Sequence, residues 1–124
     1  MEMINKERVL QEFLELIRIP CPTRNERAVG DWLTGHLTAL GGIVHEDKAG
    51  EALGGNCGNL VADFPGTAPG APTIMLTAHM DCVDPCVDIH PVIEDGIIRS
   101  DGTTILGADD KAGVTAILET LRQL

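Results

Sequence analysis

The sequence predicts an α/β fold. Two stretches at the start of the chain repeat apolar residues at helical spacing, short β-branched or aliphatic segments follow from residue 43, and a third helical stretch closes the chain. Glycine- and proline-rich loops separate the short segments, as is typical of strands joined by turns. The 124 residues are enough for one ordinary domain rather than two.

Both N-terminal helices have recognisable start and stop signals. The side chain of Asn5 can accept a hydrogen bond from the first turn, and the helix that it caps stops before Pro20. Residues 23–26 have the form of a capping box, which predicts a second helix that the glycines at 41–42 end. The apolar stripes are Val9, Leu10, Phe13, Leu14 and Ile17 in the first helix, and Val29, Trp32, Leu33, Leu37 and Leu40 in the second.

Three segments, 43–46, 60–64 and 73–78, predict strands. The last of them, Thr-Ile-Met-Leu-Thr-Ala, is nearly continuous in apolar character, which is typical of a strand covered on both faces. We therefore expect it at the centre of the sheet. The Asp95-Gly96 pair between two short apolar segments predicts a tight hairpin turn.

The charge balance excludes several classes of partner. Lys and Arg number 9 against 19 Asp and Glu, a formal net charge of −10, which argues against nucleic acid and against an anionic membrane surface. No stretch approaches the roughly 18 apolar residues of a membrane-spanning helix, and the start of the chain does not resemble a signal peptide. We expect a cytoplasmic protein whose four cysteines are reduced thiols.

Two polar groups lie next to predicted elements. His79 and Asp81 follow the predicted central strand, where side chains two positions apart point to the same side and where ligands bind in α/β sheets. Asp109 and Asp110 precede the last helix, for which Asp110 is a suitable N-cap. Each group alone is also typical of a polar turn or an acidic helix cap. Together they supply the nitrogen ligand and the bridging oxygen ligand that a dinuclear metal site needs.

These residues belong to a longer pattern. The segments HMDC at 79–82 and IEDGIIRSDGTTILGADDKAG at 93–113 closely resemble peptidase T-like members of the dinuclear zinc exopeptidases, which include aminoacylase and carboxypeptidase G. The segment GGNCGNL at 54–60 is similar to the one that precedes a strand in those proteins. The resemblance implies that residues 1–124 are the N-terminal part of the catalytic domain. It implies the first part of a three-layer αβα domain with a mixed, mostly parallel sheet, with the dimerisation domain and the rest of the catalytic domain absent.

Carried over residue by residue, the resemblance assigns roles to three side chains. It makes His79 a ligand of one zinc ion, Asp109 the carboxylate that bridges two zinc ions, and Asp81 the catalytic carboxylate that supports the site. It also implies that the peptide bond after Asp109 is cis, which surrounding structure must hold in place. Lys111 matches the motif, but we assign it no chemical role.

The resemblance implies a zinc-dependent exopeptidase of the tripeptide aminopeptidase type, which cleaves short peptides with two zinc ions in the complete site. The resemblance implies that the family's catalytic glutamate and remaining metal ligands lie downstream of residue 124. The other histidines, His36, His45 and His90, lie outside the motif. We therefore expect the chain alone to be inactive and to bind zinc weakly. We also expect a homo-oligomer, in which self-association covers the surfaces where later strands would pack.

Other interpretations are open at this level. An amidohydrolase that deacylates N-acyl amino acids shares the visible half of the site, because the substrate pocket lies elsewhere. A non-catalytic fragment that associates through its sheet edge and last helix belongs to another class. Cys82 and Cys86, with His79 and His90 nearby, have a spacing that also permits a separate structural zinc site.

Overall fold

A computed structural model describes residues 4–124 as a mixture of helices and short strands, which confirms the predicted α/β class. Among these residues, no helix has both the length and the apolar character needed to cross a membrane. The elements in chain order are α1 (Lys6–Ile17), α2 (Arg27–Ala39), β1 (Ile43–Glu46), α3 (Ala49–Leu53), β2 (Leu60–Asp63), β3 (Pro91–Glu94), β4 (Ile97–Ser100) and α4 (Ala108–Gln123).

The first helix begins as predicted and the second does not. Asn5 caps α1, since its Oδ1 accepts a hydrogen bond from the Arg8 backbone N–H at 3.0 Å. The capping box predicted at residues 23–26 is wrong, because Glu26 precedes α2 without a side-chain cap bond. The hydroxyl of Thr23 instead donates to the carboxylate of Asp81, far along the chain. The Thr23 hydroxyl therefore forms a tertiary hydrogen bond instead of capping the helix.

The core lies where α1 and α4 pack against each other and against the start of α2. Removing these aliphatic side chains from water is the main source of stability for a chain with so few aromatic residues. Three cysteines contribute to the same core. Its buried members are Leu16, Ile17, Cys21, Val29, Leu33, Cys82, Cys86, Ile89, Val114 and Leu118.

The strands form two separate antiparallel pairs. β1 pairs with β2, and between them the chain forms a short helix, α3, for which the sequence carries no recognisable signal. β3 pairs with β4 through the predicted hairpin, whose turn residues Asp95 and Gly96 have φ of 51° and 76°. These positive φ values are those that an Asp-Gly turn tolerates, so the hairpin prediction is confirmed.

The central strand predicted at residues 73–78 is not formed within the part of the chain that the structure describes. No strand is present there, and Ile74 and Met75 are 78% and 83% exposed. A strand needs a hydrogen-bonded neighbour, and between residues 4 and 124 none lies beside this segment. The predicted mostly parallel sheet is likewise not formed here, since the one parallel pairing among these residues is an isolated bridge between Pro22 and Cys82.

Candidate metal centre

Side chains from two distant parts of the chain meet beside the start of α4. The Nε2 atom of His79 lies 3.0 Å from Oδ1 of Asp109, thirty positions further along the chain. The other ring nitrogen, Nδ1, lies 3.1 Å from Oδ1 of Asp81 and 3.1 Å from the Asp81 carbonyl oxygen. The structure thus brings together all three residues that the sequence singled out.

Asp109 owes its position to irregular backbone at the start of α4. Gly107 has a φ of 77°, in the left-handed region that favours glycine. Asp109 and Asp110 have non-helical φ and ψ, and the peptide bond between them is cis, as the resemblance implied. The carboxylate of Asp110 accepts a hydrogen bond from the Gly113 N–H at 3.0 Å and so caps the regular part of the helix. The Asp109 side chain is left 96% exposed.

Asp81 is held by Thr23, a residue whose sequence context predicted a helix cap. The hydroxyl of Thr23 donates to Oδ2 of Asp81 at 2.6 Å, while Oδ1 of the same carboxylate faces His79. This hydrogen bond is the largest of the effects that lower the pKa of Asp81, and the charge of His79 adds to it. Asp81 is therefore an anion at neutral pH. No sequence signal links Thr23 to a residue 58 positions away.

The two carboxylates also set the protonation of His79. Its hydrogen bond with Asp109 is the main cause that raises the pKa of His79, and the Asp81 carbonyl and both negative charges act in the same direction. Partial burial opposes them by penalising the charged ring. With a carboxylate at each ring nitrogen, the protonated imidazole can donate a hydrogen bond to both.

Lys111 is a second residue whose place the sequence did not predict. Its side chain is completely buried, and Nζ donates to the carbonyl oxygen of Met80 at 2.6 Å. Met80 lies between His79 and Asp81, so this hydrogen bond ties the backbone of that segment to α4. A lysine near the start of a helix is ordinarily exposed to solvent. The burial of Lys111 is visible only in the tertiary structure.

The donor chemistry at this place fits zinc, although it does not complete a site. Imidazole nitrogen and carboxylate oxygen are both zinc ligands, and a histidine ligand commonly has its second nitrogen held by a carboxylate, as Asp81 holds His79. Between residues 4 and 124, no three His, Cys, Asp or Glu side chains are grouped so that they could hold a metal ion. The predicted alternative at Cys82 and Cys86 therefore gains no support, and all four cysteines are free and buried.

Comparisons with known proteins point to one family of enzymes. The sequence pattern of peptidase family M28 matches residues 59–124, more than half of the chain. The uncharacterized protein YqjE of Bacillus subtilis is 43% identical over 122 residues, which are 98% of this chain and 33% of YqjE. Two crystal structures are also similar. A Staphylococcus aureus tripeptidase (SAV1512) has 45% identity and a TM-score of 0.93 over 98% of this chain and 32% of its own.

The second crystal structure, aminopeptidase PepT of Bacillus cereus, has 47% identity and a TM-score of 0.95 over 98% of this chain and 33% of its own. The chain thus spans about a third of the length of these relatives. The resemblance to peptidase T-like proteins, stated from the motifs at 79–82 and 93–113, is confirmed by these matches. Because the family match covers more than half of its residues, the chain belongs to peptidase family M28.

Proposed function

We propose that the whole protein is a zinc-dependent exopeptidase of the tripeptide aminopeptidase type, which acts on short peptides. The observation that carries the proposal is the contact between His79 and Asp109, which joins two segments thirty positions apart at 3.0 Å. An acidic helix cap or a polar turn does not require these two side chains to meet. The printed names of the similar structures, a tripeptidase and an aminopeptidase, support this class of substrate.

We propose a distinct role for each residue of the centre. His79 would bind zinc through Nε2, from which a proton must leave before the nitrogen can coordinate. Asp81 holds Nδ1 and fixes the plane of the ring, and its charge supports the site during the reaction. Asp109 would be the bridging ligand, the role that the resemblance implies, and its exposed carboxylate at the irregular start of α4 is compatible with that role.

When bound, two zinc ions would polarise the scissile carbonyl and supply the Lewis acidity for hydrolysis. What residues 4–124 add is the orientation of one nitrogen ligand and one oxygen ligand. The group that takes a proton from the attacking water is not among the residues of this centre. We therefore propose that the 124-residue chain alone hydrolyses no peptide and binds zinc weakly, since two protein ligands do not close a site.

The architecture supports the proposal that residues 1–124 are the N-terminal part of a catalytic domain. The apolar segment around Ile74 and Met75 is exposed, as expected of a strand whose neighbours lie elsewhere in the domain. We propose that these neighbours complete the mixed, mostly parallel sheet of a three-layer αβα domain, and that the whole protein is a homo-oligomer. The four free buried thiols favour a reducing compartment, so we propose a cytoplasmic location.

A chimera tests the proposed function. Residues 1–124 would replace the matching third of the Staphylococcus aureus tripeptidase, with which they share 45% identity. We expect the purified, zinc-loaded chimera to release the N-terminal residue from tripeptides. His79→Ala and Asp109→Ala should each lower kcat/KM by more than the roughly 10–100-fold that loss of an outer hydrogen-bond partner costs.

The matched control is His90→Ala, because His90 is an exposed histidine outside the centre. It should leave kcat/KM unchanged. A folded chimera that ignores tripeptides but cleaves N-acyl amino acids would favour the deacylase alternative. A folded chimera whose tripeptidase activity survives His79→Ala would contradict the proposed roles of these residues.

A further inference from the structure

Lys111 is enclosed with two thiols that the candidate metal centre does not use. Its side chain is 0% exposed, and Cys21 and Cys82 beside it are 1% and 5% exposed. Nζ lies 2.7 Å from Sγ of Cys21 and 3.6 Å from Sγ of Cys82. Lys111, Cys21 and Cys82 together form the buried lysine cluster. The remaining hydrogen bond of the amine goes to the Met80 carbonyl, so its partners among residues 4–124 include no carboxylate.

The two contacts of Nζ with sulfur differ in kind. The contact with Cys82 is long, as expected for a hydrogen bond to a large, weakly accepting sulfur atom. The contact with Cys21 is as short as an ordinary N–H···O hydrogen bond, although sulfur is much larger than oxygen. One oxygen atom bonded to both Nζ and Sγ would span this gap with neither side chain moving. A direct N–S bond would require both side chains to move closer together.

We propose that Lys111 and Cys21 form a covalent N–O–S cross-link by reaction with molecular oxygen. Written for the neutral amine and thiol, one N–H bond and the S–H bond break, and one oxygen atom forms new bonds to both nitrogen and sulfur. The second oxygen atom leaves as water with the two released hydrogens. Nitrogen and sulfur each lose two electrons, and the oxygen molecule gains all four.

The surroundings of the cluster favour this product over ordinary thiol oxidation. Dioxygen is small enough to enter a packed interior, whereas glutathione and other thiols are too large to reach a side chain that is 1% exposed. The link would join residues 90 positions apart in sequence. Such a bond restricts the unfolded chain, so the cross-linked protein should unfold at a higher temperature than the reduced one.

Mass spectrometry of the full chain tests the proposal independently of any peptidase activity. One sample is purified and kept in aerated buffer, and the other is kept without oxygen in the presence of dithiothreitol. We expect the aerated chain to gain the mass of one oxygen less two hydrogens. Proteolysis should yield one linked pair of peptides that contain Cys21 and Lys111, and dithiothreitol added after unfolding should separate them. The Tm of the aerated chain should be higher by about 3 °C or more.

Variants identify the atoms involved. Cys21→Ser and Lys111→Arg should each abolish the linked pair, whereas Cys57→Ser, which changes a buried thiol outside the cluster, should leave it intact. Several results on the wild-type chain would overturn the proposal even if a variant fails to fold. They are the absence of any linked peptide, oxygen added to Cys21 alone, a disulfide between Cys21 and Cys82, and an N–S link without the added oxygen.

Discussion

At the residue scale, the orientation of His79 depends on hydrogen bonds that begin at Thr23. The Thr23 hydroxyl donates to one oxygen of Asp81 at 2.6 Å, and the other oxygen faces Nδ1 of His79 at 3.1 Å. A carboxylate held on one side restricts the imidazole on the other, which leaves Nε2 directed at Asp109. A single hydroxyl group thus acts, through two intervening contacts, on the atom that we propose to bind zinc.

Replacing Thr23 with valine tests this chain of contacts. Valine keeps the shape of the side chain but removes the donor to Asp81, so the imidazole loses its fixed plane. In the chimera, we expect Thr23→Val to lower kcat/KM for a tripeptide by roughly 10–100-fold, the range found for outer partners of metal ligands. Steady-state kinetics at saturating zinc would measure the effect.

Two further variants separate the hydrogen bond from other effects of the substitution. Thr23→Ser keeps the hydroxyl and should retain most of the activity. Thr120→Val removes an exposed hydroxyl that donates to the Ala116 carbonyl within its own helix, so it should leave kcat/KM unchanged. Equal losses for the valine and serine variants at position 23 would show that the hydrogen bond to Asp81 does not matter.

At the element scale, α1 and α4 are joined by ion pairs as well as by apolar packing. Arg8 binds Glu119 through two nitrogens, with Nε at 2.9 Å and Nη2 at 2.8 Å from the carboxylate. In a second pair, the arginine lies on α4 and the glutamate on α1. Nη1 of Arg122 is 2.8 Å from the carboxylate of Glu12. The backbone N–H of Asn5 also donates to Glu119. These contacts hold the α1–α4 pair in register.

The Arg8–Glu119 pair predicts a pH dependence of stability. The hydrogen bond from Arg8 is the largest cause that lowers the pKa of Glu119 in the folded chain. A lowered folded pKa stabilises the protein above the unfolded pKa, and that stabilisation is lost as the pH falls through the folded pKa. Arg8→Met should therefore reduce the free energy of unfolding more at about pH 7 than at about pH 3.

Urea unfolding at the two pH values measures this difference. Arg18→Met is the matched control, because Arg18 is exposed at the end of α1 and forms no ion pair with other residues of the 4–124 range. It should be nearly neutral at both pH values. An Arg8→Met variant whose loss of stability is the same in acid as at neutral pH would show that the pair does not act through the charge of Glu119.

Two glycines in helices distinguish close packing from helix propensity. A Cβ atom at Gly50 in α3 would collide with the backbone carbonyl of Cys57, whereas nothing lies within 4 Å of a Cβ at Gly35 in α2. Gly50→Ala should therefore lower the free energy of unfolding by about 1–3 kcal/mol, as overpacking does. Gly35→Ala should raise it by up to about 1 kcal/mol, because alanine is the better helix former. Chemical denaturation of both variants gives the two values, and a stabilised Gly50→Ala chain would contradict the packing of α3.

At the scale of the whole molecule, one apolar surface has no cover from residues 4–124. Ile74 and Met75 are mostly exposed, and Leu76 is 45% exposed. The segment borders a cavity of about 770 Å³ that side chains of α2, β2 and α4 also line. Three neighbouring apolar residues in water favour association with another surface. The composition of this same segment predicts a strand at the centre of a sheet.

We expect the purified 124-residue chain to self-associate through this surface. Met75→Glu places a charge at the most exposed residue of this surface. Sedimentation velocity at matched concentration should then show a larger monomer fraction than for the wild-type chain. Ile97→Glu places the same charge on another exposed residue, in β4, and should leave the distribution unchanged. A wild-type chain that stays monomeric at high concentration would show that the surface is tolerated in water.

The features that sequence determined are local ones. Asn5 caps α1 and the Asp95-Gly96 pair forms the hairpin because a cap and a turn depend on atoms a few residues away. The residues of the centre were also singled out from the sequence, because His79 and Asp81 follow a predicted strand and Asp109 precedes the last helix, whereas their individual roles came from the family resemblance.

Contacts across long stretches of chain were decided by the tertiary structure alone. Thr23 was predicted to cap a helix and instead holds Asp81, and Lys111 was given no role and proves to be buried against Met80. The segment at 73–78 has the composition of a buried strand, yet it pairs with nothing in the described chain. Composition shows what a residue can bind or pair with, whereas the partner it meets depends on how distant elements pack.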